Sequence, residues 1–254
     1  MTEPGAGSDA FSITTKAIRK GDHYVLNGRK TFITNGNIAH VVLVFLNVVD
    51  VQGNKKLSCI IVDKDTPGFF CSNKIEKMGL RTSPFSELIF EDCGIPCENL
   101  LGREGQGKQI FNHAMEGERA FILAAQVGRM EKQLENSIEY ARIRKQFGSS
   151  LIRFQSISNY LAEMKRNLET SRLLAYKVGW LKANGMNAYQ FSSVAKLHIS
   201  ECSVKNSLYA MRIHGGYGYT TEYEIERQMR DALGGLFYSG TSEIMRNIIT
   251  ELLD

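Results

Sequence analysis

Hydrophobic and polar positions change rhythm once along this chain. Through the first ninety or so residues, short β-branched and aromatic runs alternate with turn residues. Ser12 to Ile18 reads as a strand that meets a Gly21-Asp22 turn, and His23 to Leu26 follows. Asn27-Gly28 is a two-residue hairpin signal, with Lys30 to Thr34 as the expected return strand. His40 to Val49 and Leu57 to Val62 are further β-branched runs. Asp65 to Gly68 reads as a turn, and two more strands are expected before Asp92. Strands this short and this closely spaced predict an antiparallel sandwich or barrel.

The rhythm breaks at Gly102-Arg103-Glu104-Gly105-Gln106-Gly107, a glycine-rich linker. Beyond it, helical periodicity runs from about Lys108 to Arg144, Phe154 to Ala183 and Ala188 to Ile213. Gly148, Gly185 and Gly215-Gly216 punctuate these helices. A short helix covers Glu224 to Leu233, and a last one is capped at Thr241 with Glu243 in its first turn. Brief connections between long helices predict an up-down four-helix bundle. The expected organisation is therefore α+β, a β-domain over 1–103 followed by a helical domain over 104–254.

Within the first long helix, Phe111, Met115, Glu118, Ile122 and Ala125 recur at helical spacing. Glu118 is a carboxylate on an otherwise apolar stripe. Loss of hydration there would raise its pKa and make it a better base. The spacing leaves two readings open, a general base or a buried acid neutralised by a neighbouring Arg.

Composition narrows the class. The chain has 254 residues, 43% of them hydrophobic and 23% charged, as soluble globular proteins do. No apolar run approaches the roughly 20 residues that cross a bilayer, and the first residues do not read as a signal peptide. A formal charge of +4 without a Lys/Arg block gives no nucleic-acid patch. Cys59, Cys71, Cys93, Cys97 and Cys202 show no metal-ligand spacing, and their odd number and scatter suit buried thiols in a reducing cytoplasm.

Several short blocks fall at loops and helix ends, where binding groups concentrate. Gly5, Gly7 and Ser8 make an open loop whose N–H groups could face an anion or ring oxygens, or simply turn the chain. Arg144 closes a helix, where a cation suits the dipole and could also grip a pyrophosphate. The Ile213 to Tyr219 stretch joins glycines to aromatics, with His214 read as a structural or solvent-facing histidine rather than a catalytic one. Phe237 to Ser242 feeds a helix N-terminus whose backbone donors could hold a carbonyl oxygen as negative charge develops on it. Ser239 has no His placed as in a nucleophile triad, which argues against a hydrolase.

Taken together, MTEPGAGSDAF, GRKTFITNG, DTPGF, KMGLRTSPFSELIFEDCGIPCENLLG, ARIRKQFG, FQSIS and IERQMRD…YSGTSEIMRNII closely resemble the acyl-CoA dehydrogenase family, in order and spacing. The resemblance runs over essentially the whole chain. It implies a middle β-domain and a C-terminal four-helix bundle, with the family's helical N-terminal domain expected to be absent from this chain. It also implies FAD and assembly as a homotetramer or homodimer. Thr2, Gly7 and Ser8 would lie against the flavin, with Phe32, Ile33 and Thr34 across the ring. Arg144, Gln146, Phe154, Gln155, Arg212, Gly215 and Gly216 match positions that grip the adenosine and pyrophosphate, partly across a subunit boundary. Thr241 and Glu243 would complete the adenine end, while Ser8, Arg119 and Gly240 would border the substrate.

One departure is informative. Most members of the family carry the catalytic Glu where this chain has Ser239, and a serine cannot abstract the proton. A minority place the base on the long helix just before an Arg, and Glu118-Arg119 matches that layout. The implied chemistry is α,β-dehydrogenation of an acyl thioester, with Glu118 taking the α-proton and the Ser239 backbone N–H donating to the thioester oxygen. The MEGERAFILA and YSGTSEIMRNII segments resemble members that oxidise a prolyl group on a carrier protein in secondary metabolism. They also resemble branched- or long-chain acyl-CoA enzymes. Electrons would leave to an electron-transfer flavoprotein or to oxygen. A non-catalytic flavin or thioester binder is the rival from another class.

Overall fold

The computed structural model describes residues 1–253. They divide into two compact units, one made of Met1–Lys77 and Arg81–Ala114, the other of Met78–Leu80 and the chain from Met115 onward.

The first unit is built on one sheet of six strands, β1 (Lys16–Lys20), β2 (His23–Thr34), β3 (Val41–Val49), β4 (Lys55–Asp63), β5 (Phe69–Cys71) and β6 (Phe85–Pro96), in the order β4-β3-β1-β2-β6-β5. The sheet is antiparallel except where β1 and β3 run parallel. Gly21-Asp22 folds β2 back beside β1, and the chain then crosses to the other side of β1 before β3 begins.

Asn27-Gly28 is not a hairpin. β2 runs straight through it, with a register shift against β6 between Leu26 and Gly28. Gly28 takes φ 151°, and a Cβ there would lie 2.6 Å from Thr15 Oγ1. The glycine serves a bulge and a close approach rather than a turn. Alternate positions such as Tyr24 and Leu26, Val44 and Leu46, Ile60 and Val62, and Leu88 and Phe90 build the core on one face. On the other face Phe45 and Cys59 pack with Ala6, Ile13 and Phe111, whose ring sits edge-on to Phe45 at 5.6 Å.

The second unit is helical. The helices are α1 (Gly107–Phe121), α2 (Ala124–Ile143), α3 (Gln155–Ala183), α4 (Tyr189–His214), α5 (Ile225–Gly234) and α6 (Ser242–Glu251), with the opening turns of α1 belonging to the first unit. Helix α4 packs against α2, α3, α5 and α6. Val127, Met130, Leu134 and Ala141 of α2 meet Leu161, Met164 and Leu168 of α3 and Ala195, Ile199 and Ile213 of α4. Buried serines, Ser137, Ser171, Ser203 and Ser207 among them, let these helices approach closely. Gly185, in the left-handed conformation, ends α3 in a Schellman turn, the Met186 N–H donating to Leu181 O at 2.9 Å.

Two expectations give way here. The stretch from Lys108 to Arg144 is two helices, broken at Ile122-Leu123, where Leu123 enters the helical core at 2% exposed. The stripe read across that break is therefore not one buried face, and both Glu118 and Ala125 are exposed. The thiols are not uniformly buried either, because Cys71 is exposed and Cys97 half-buried. No helix of the described residues is long and apolar enough to cross a membrane.

Candidate active site

In the helical unit, the turn from Tyr238 to Thr241 joins α5 to α6 and is fastened on several sides. Ser239 sits at φ 57° and Gly240 at φ 98°, so both occupy the left-handed region that only glycine enters without strain. A Cβ on Gly240 would lie 2.6 Å from Met245 Cε. Thr241 caps α6 as its sequence predicts, its hydroxyl accepting from the Ile244 N–H at 3.3 Å.

Side chains from three helices hold this turn. At the end of α1, the Arg119 guanidinium, 8% exposed, donates through Nε to Ser239 O at 3.2 Å. Glu118, beside it, accepts a hydrogen bond from the Ser239 hydroxyl. From α2, Gln126 Nε2 donates to the Tyr238 hydroxyl at 2.8 Å, and burial pushes that phenol's pKa up. From α4, Lys196, 0% exposed, donates through Nζ to Gly240 O. Burial, helped by the nearby Arg119 charge, lowers the Lys196 ammonium to about 8. Among the described residues no acceptor takes the Ser239 N–H. The structure thus brings Glu118, Arg119, Ser239, Gly240 and Thr241 together, and leaves Glu118 in reach of solvent rather than desolvated. Glu243 lies in the first turn of α6, where its own backbone N–H and the Thr241 hydroxyl lower its pKa.

A second cluster of the helical unit lies at the ends of α2 and α4. Tyr140 stacks on His214 with ring centroids 4.3 Å apart, and the Arg144 guanidinium sits 5.8 Å from the Tyr217 ring centre. These side chains line a cavity of about 450 Å³ with Tyr223 and Ile225. His214 is buried with Nδ1 2.8 Å from Ala210 O, and burial lowers its pKa, as befits a structural histidine. Gly215 and Gly216 lie exposed just past α4, and Arg212 Nη1 donates to the Tyr160 hydroxyl at 3.3 Å. Gln146 donates to Lys145 O at 2.6 Å, and Phe154, beside Gln155 at the start of α3, meets Phe147 edge-on at 6.2 Å. Neither Arg144 nor Arg212 has a carboxylate within ion-pair distance among the described residues.

In the β-unit, the opening loop is anchored by Glu3. Its carboxylate accepts from Thr14 N and Oγ1, each at 2.7 Å, from Thr15 N at 3.0 Å, from the Thr15 hydroxyl, and from Lys30 Nζ at 2.8 Å. Burial would raise the Glu3 carboxyl, but the donors from Lys30, Thr15 and Thr14 together hold it at about 2. Thr2 O accepts from Thr31 N at 2.9 Å, which ties the loop to β2, and Gly7 and Ser8 stay exposed. A second register shift in β2, between Lys30 and Ile33, presents Phe32 at φ 56° and 59% exposed, with Thr34 exposed beyond it.

Comparison with known proteins decides the family. The model of the acyl-CoA dehydrogenase middle domain matches residues 1–93, and that of the acyl-CoA dehydrogenase C-terminal domain matches residues 105–253. The chain belongs to the acyl-CoA dehydrogenase family. It is 42% identical to an acyl-CoA dehydrogenase of Bacillus subtilis, over 100% of this chain and 67% of that protein. It is 38% identical to the L-prolyl-[peptidyl-carrier protein] dehydrogenase of Pseudomonas fluorescens, over 100% of this chain and 67% of the other. Among solved structures, the prolyl acyl carrier protein oxidase AnaB superposes with a TM-score of 0.96 at 49% identity, covering 99% of this chain and 67% of AnaB. Butyryl-CoA dehydrogenase of Megasphaera elsdenii does so with 0.95 at 40% identity, covering 99% and 66%. The chain spans about two thirds of the length of the relatives it matches.

Lys196, Gln126, Glu3 and Lys30 went unread in the sequence. A signal existed for Lys196. With Ser200, Ser203 and Ser207 it keeps helical spacing on a face of small buried residues. Glu3 and Lys30 lie too far apart in sequence for any local pattern to pair them.

Proposed function

We propose that this member of the family catalyses FAD-dependent α,β-dehydrogenation of an acyl thioester, with Glu118 as the base. The observation that carries the reading is the meeting of Glu118 with the turn at Ser239. A carboxylate in reach of solvent sits beside a backbone N–H that has no internal acceptor among the described residues, which are the two groups this reaction asks of the protein.

The residues present fit FAD. In the helical unit, Arg144 and Arg212 are cations without carboxylate partners among the described residues, and the exposed Gly215-Gly216 backbone permits close approach, a donor set suited to a diphosphate. Gln146, Phe154, Gln155, Thr241 and Glu243 are assigned to the same cofactor. In the β-unit, the exposed Phe32 ring with Ile33 and Thr34, and the open loop of Thr2, Gly7 and Ser8, suit a planar ring system. Solved relatives include an FAD complex of PigA. FAD, when bound, supplies the acceptor for the hydride leaving the substrate β-carbon. The protein's part is to remove the α-proton at a Glu118 carboxylate oxygen and to donate the Ser239 N–H to the thioester oxygen as negative charge gathers there. Arg119 and Gly240 frame that position, with Ser8 assigned to the substrate from the β-unit.

For the thioester, we favour a prolyl group on a carrier protein, on the strength of 49% identity to AnaB against 40% to butyryl-CoA dehydrogenase. An acyl-CoA is the second reading, supported by the Bacillus subtilis relative. Assembly as a homo-oligomer, a cytoplasmic setting, and an electron-transfer flavoprotein or oxygen as acceptor belong to the same proposal. The test is anaerobic titration of the flavin-loaded protein with prolyl-carrier protein and with a panel of acyl-CoAs. Bleaching by the prolyl thioester alone supports the favoured substrate, and bleaching by acyl-CoAs alone overturns it. A flavin that no thioester bleaches overturns the dehydrogenase reading itself and leaves the non-catalytic binder.

A further inference from the structure

Lys196 is a fully buried ammonium with no carboxylate partner among the described residues. Among the described residues no acidic oxygen lies within ion-pair distance, and its hydrogen-bond partner is the Gly240 carbonyl. A charge with no ion-pair partner in a helical core is costly, so a space-filling role would be served better by methionine. The neighbouring carbonyl, Ser239 O, is held by a second buried cation, Arg119. Two consecutive peptide carbonyls are therefore pinned by two cations from different helices. The turn they pin holds Ser239 at φ 57°, a strained conformation for a side chain with a Cβ.

We propose that Lys196 is a positioning residue, whose ammonium on Gly240 O acts with Arg119 on Ser239 O to hold the 238–241 turn so that the Ser239 N–H stays available to a thioester carbonyl oxygen. This rests on the functional reading above and extends it to residues that touch neither substrate nor flavin. Pinning both carbonyls fixes the two peptide planes that follow Ser239, and the preceding plane, which carries the Ser239 N–H, is joined to them through the φ of Ser239. A donor already in place when charge develops has no reorganisation left to undergo. The charges bearing on Lys196 are Arg119 from α1, which opposes its protonation, and Glu243 from α6 and Glu201 of α4, which favour it. With its ammonium lowered to about 8, Lys196 loses its charge within the working range of an enzyme assay, and its grip weakens as pH rises past that value.

The experiment compares wild type, Lys196→Met and Lys196→Arg as flavin-loaded proteins. Amide hydrogen exchange across residues 237–241 is read without substrate, and the rate of flavin reduction at saturating thioester is read across pH 6 to 10. Removing one preorganised donor of this kind lowers rates by roughly 100-fold or more, and loosening it by about 10- to 100-fold is expected here. Lys196→Met should exchange faster across the turn, lose that rate with little change in KM, and lack the alkaline fall that wild type shows near pH 8. Lys196→Arg should keep the turn protected and restore the rate above pH 8. A Lys196→Met protein that reduces flavin at the wild-type rate with the same pH profile would overturn the proposal. So would Lys196→Met and Lys196→Arg failing alike with unchanged exchange. Failure of the functional reading shows separately, as wild type that no thioester bleaches while the exchange difference persists.

Discussion

Each unit buries one lysine almost completely, Lys30 at 1% exposed and Lys196 at 0%, and the two are held in opposite ways. Lys30 meets a carboxylate, Glu3, which is itself satisfied by Thr14 and Thr15, so charge answers charge and every oxygen has donors. Burial lowers the Lys30 ammonium and Glu3 offsets part of that. Among the described residues Lys196 donates to a carbonyl rather than a carboxylate, with a like-charged Arg119 nearby and Glu243 and Glu201 acting on it from beyond ion-pair distance. A closed pair of the first kind fastens a loop to a strand and resists change. An open cation of the second kind is poorly stabilised and therefore responsive, which belongs where a backbone must be aimed rather than merely stored.

The largest effect is expected in the β-unit. Lys30→Met leaves Glu3 buried without its cation and should destabilise that unit by about 3–5 kcal/mol in denaturant titration. The double variant Glu3→Gln, Lys30→Met should cost clearly less than the sum of the singles. Additive costs would mean the pair is not a unit.

The pH dependences should then separate the two units. The folded Glu3 pKa lies below its unfolded value, so its stabilisation is complete above about pH 4.5 and fades as pH falls towards 2. A shift of that size corresponds to about 3 kcal/mol as an upper bound. Lys196 shifts in the same direction but in an alkaline window, and what changes there is a penalty relieved rather than a stabilisation completed. Its folded pKa is depressed from 10.5 to about 8, so between those values the unfolded chain binds more protons and the helical unit gains stability as pH rises. Thermal scans across pH 7.5 to 10 of wild type and Lys196→Met should diverge in that direction, and parallel curves would deny that Lys196 is held as described.

Smaller again is the effect of Lys196→Met on stability at neutral pH. Losing a buried charge offsets leaving Gly240 O without its donor, so the net change should fall within about 2 kcal/mol of zero. A loss as large as that of Lys30→Met would erase the contrast between the lysines. Smallest is Thr241→Ala, which removes the cap of α6 and should cost about 1 kcal/mol, read as a lower melting temperature.

Much of this was legible along the chain, because element type follows local periodicity. The helices α3 to α6 begin and end close to where caps and glycines predict, and Gly21-Asp22 turns as read. What failed was reading a local cue across a tertiary event. Asn27-Gly28 looks like a hairpin in isolation, but β6 pairs along both halves of β2 and the approach of Thr15 claims the glycine. Glu118 stood out on a stripe that the break at Leu123 divides, so its prominence survives while its burial does not. The same rule applied to α4 would have found Lys196, where no break intervenes. The hydrogen bond from Ser239 to Glu118 spans most of the helical unit in sequence, and only folding brings the two together.

If Glu118 is the base, anaerobic flavin reduction should distinguish Glu118→Gln from wild type. With the thioester that bleaches wild type, Glu118→Gln should bind FAD normally and reduce it about 100- to 10,000-fold more slowly. Bleaching at the wild-type rate in Glu118→Gln would contradict the assignment and send the search for the base to another group.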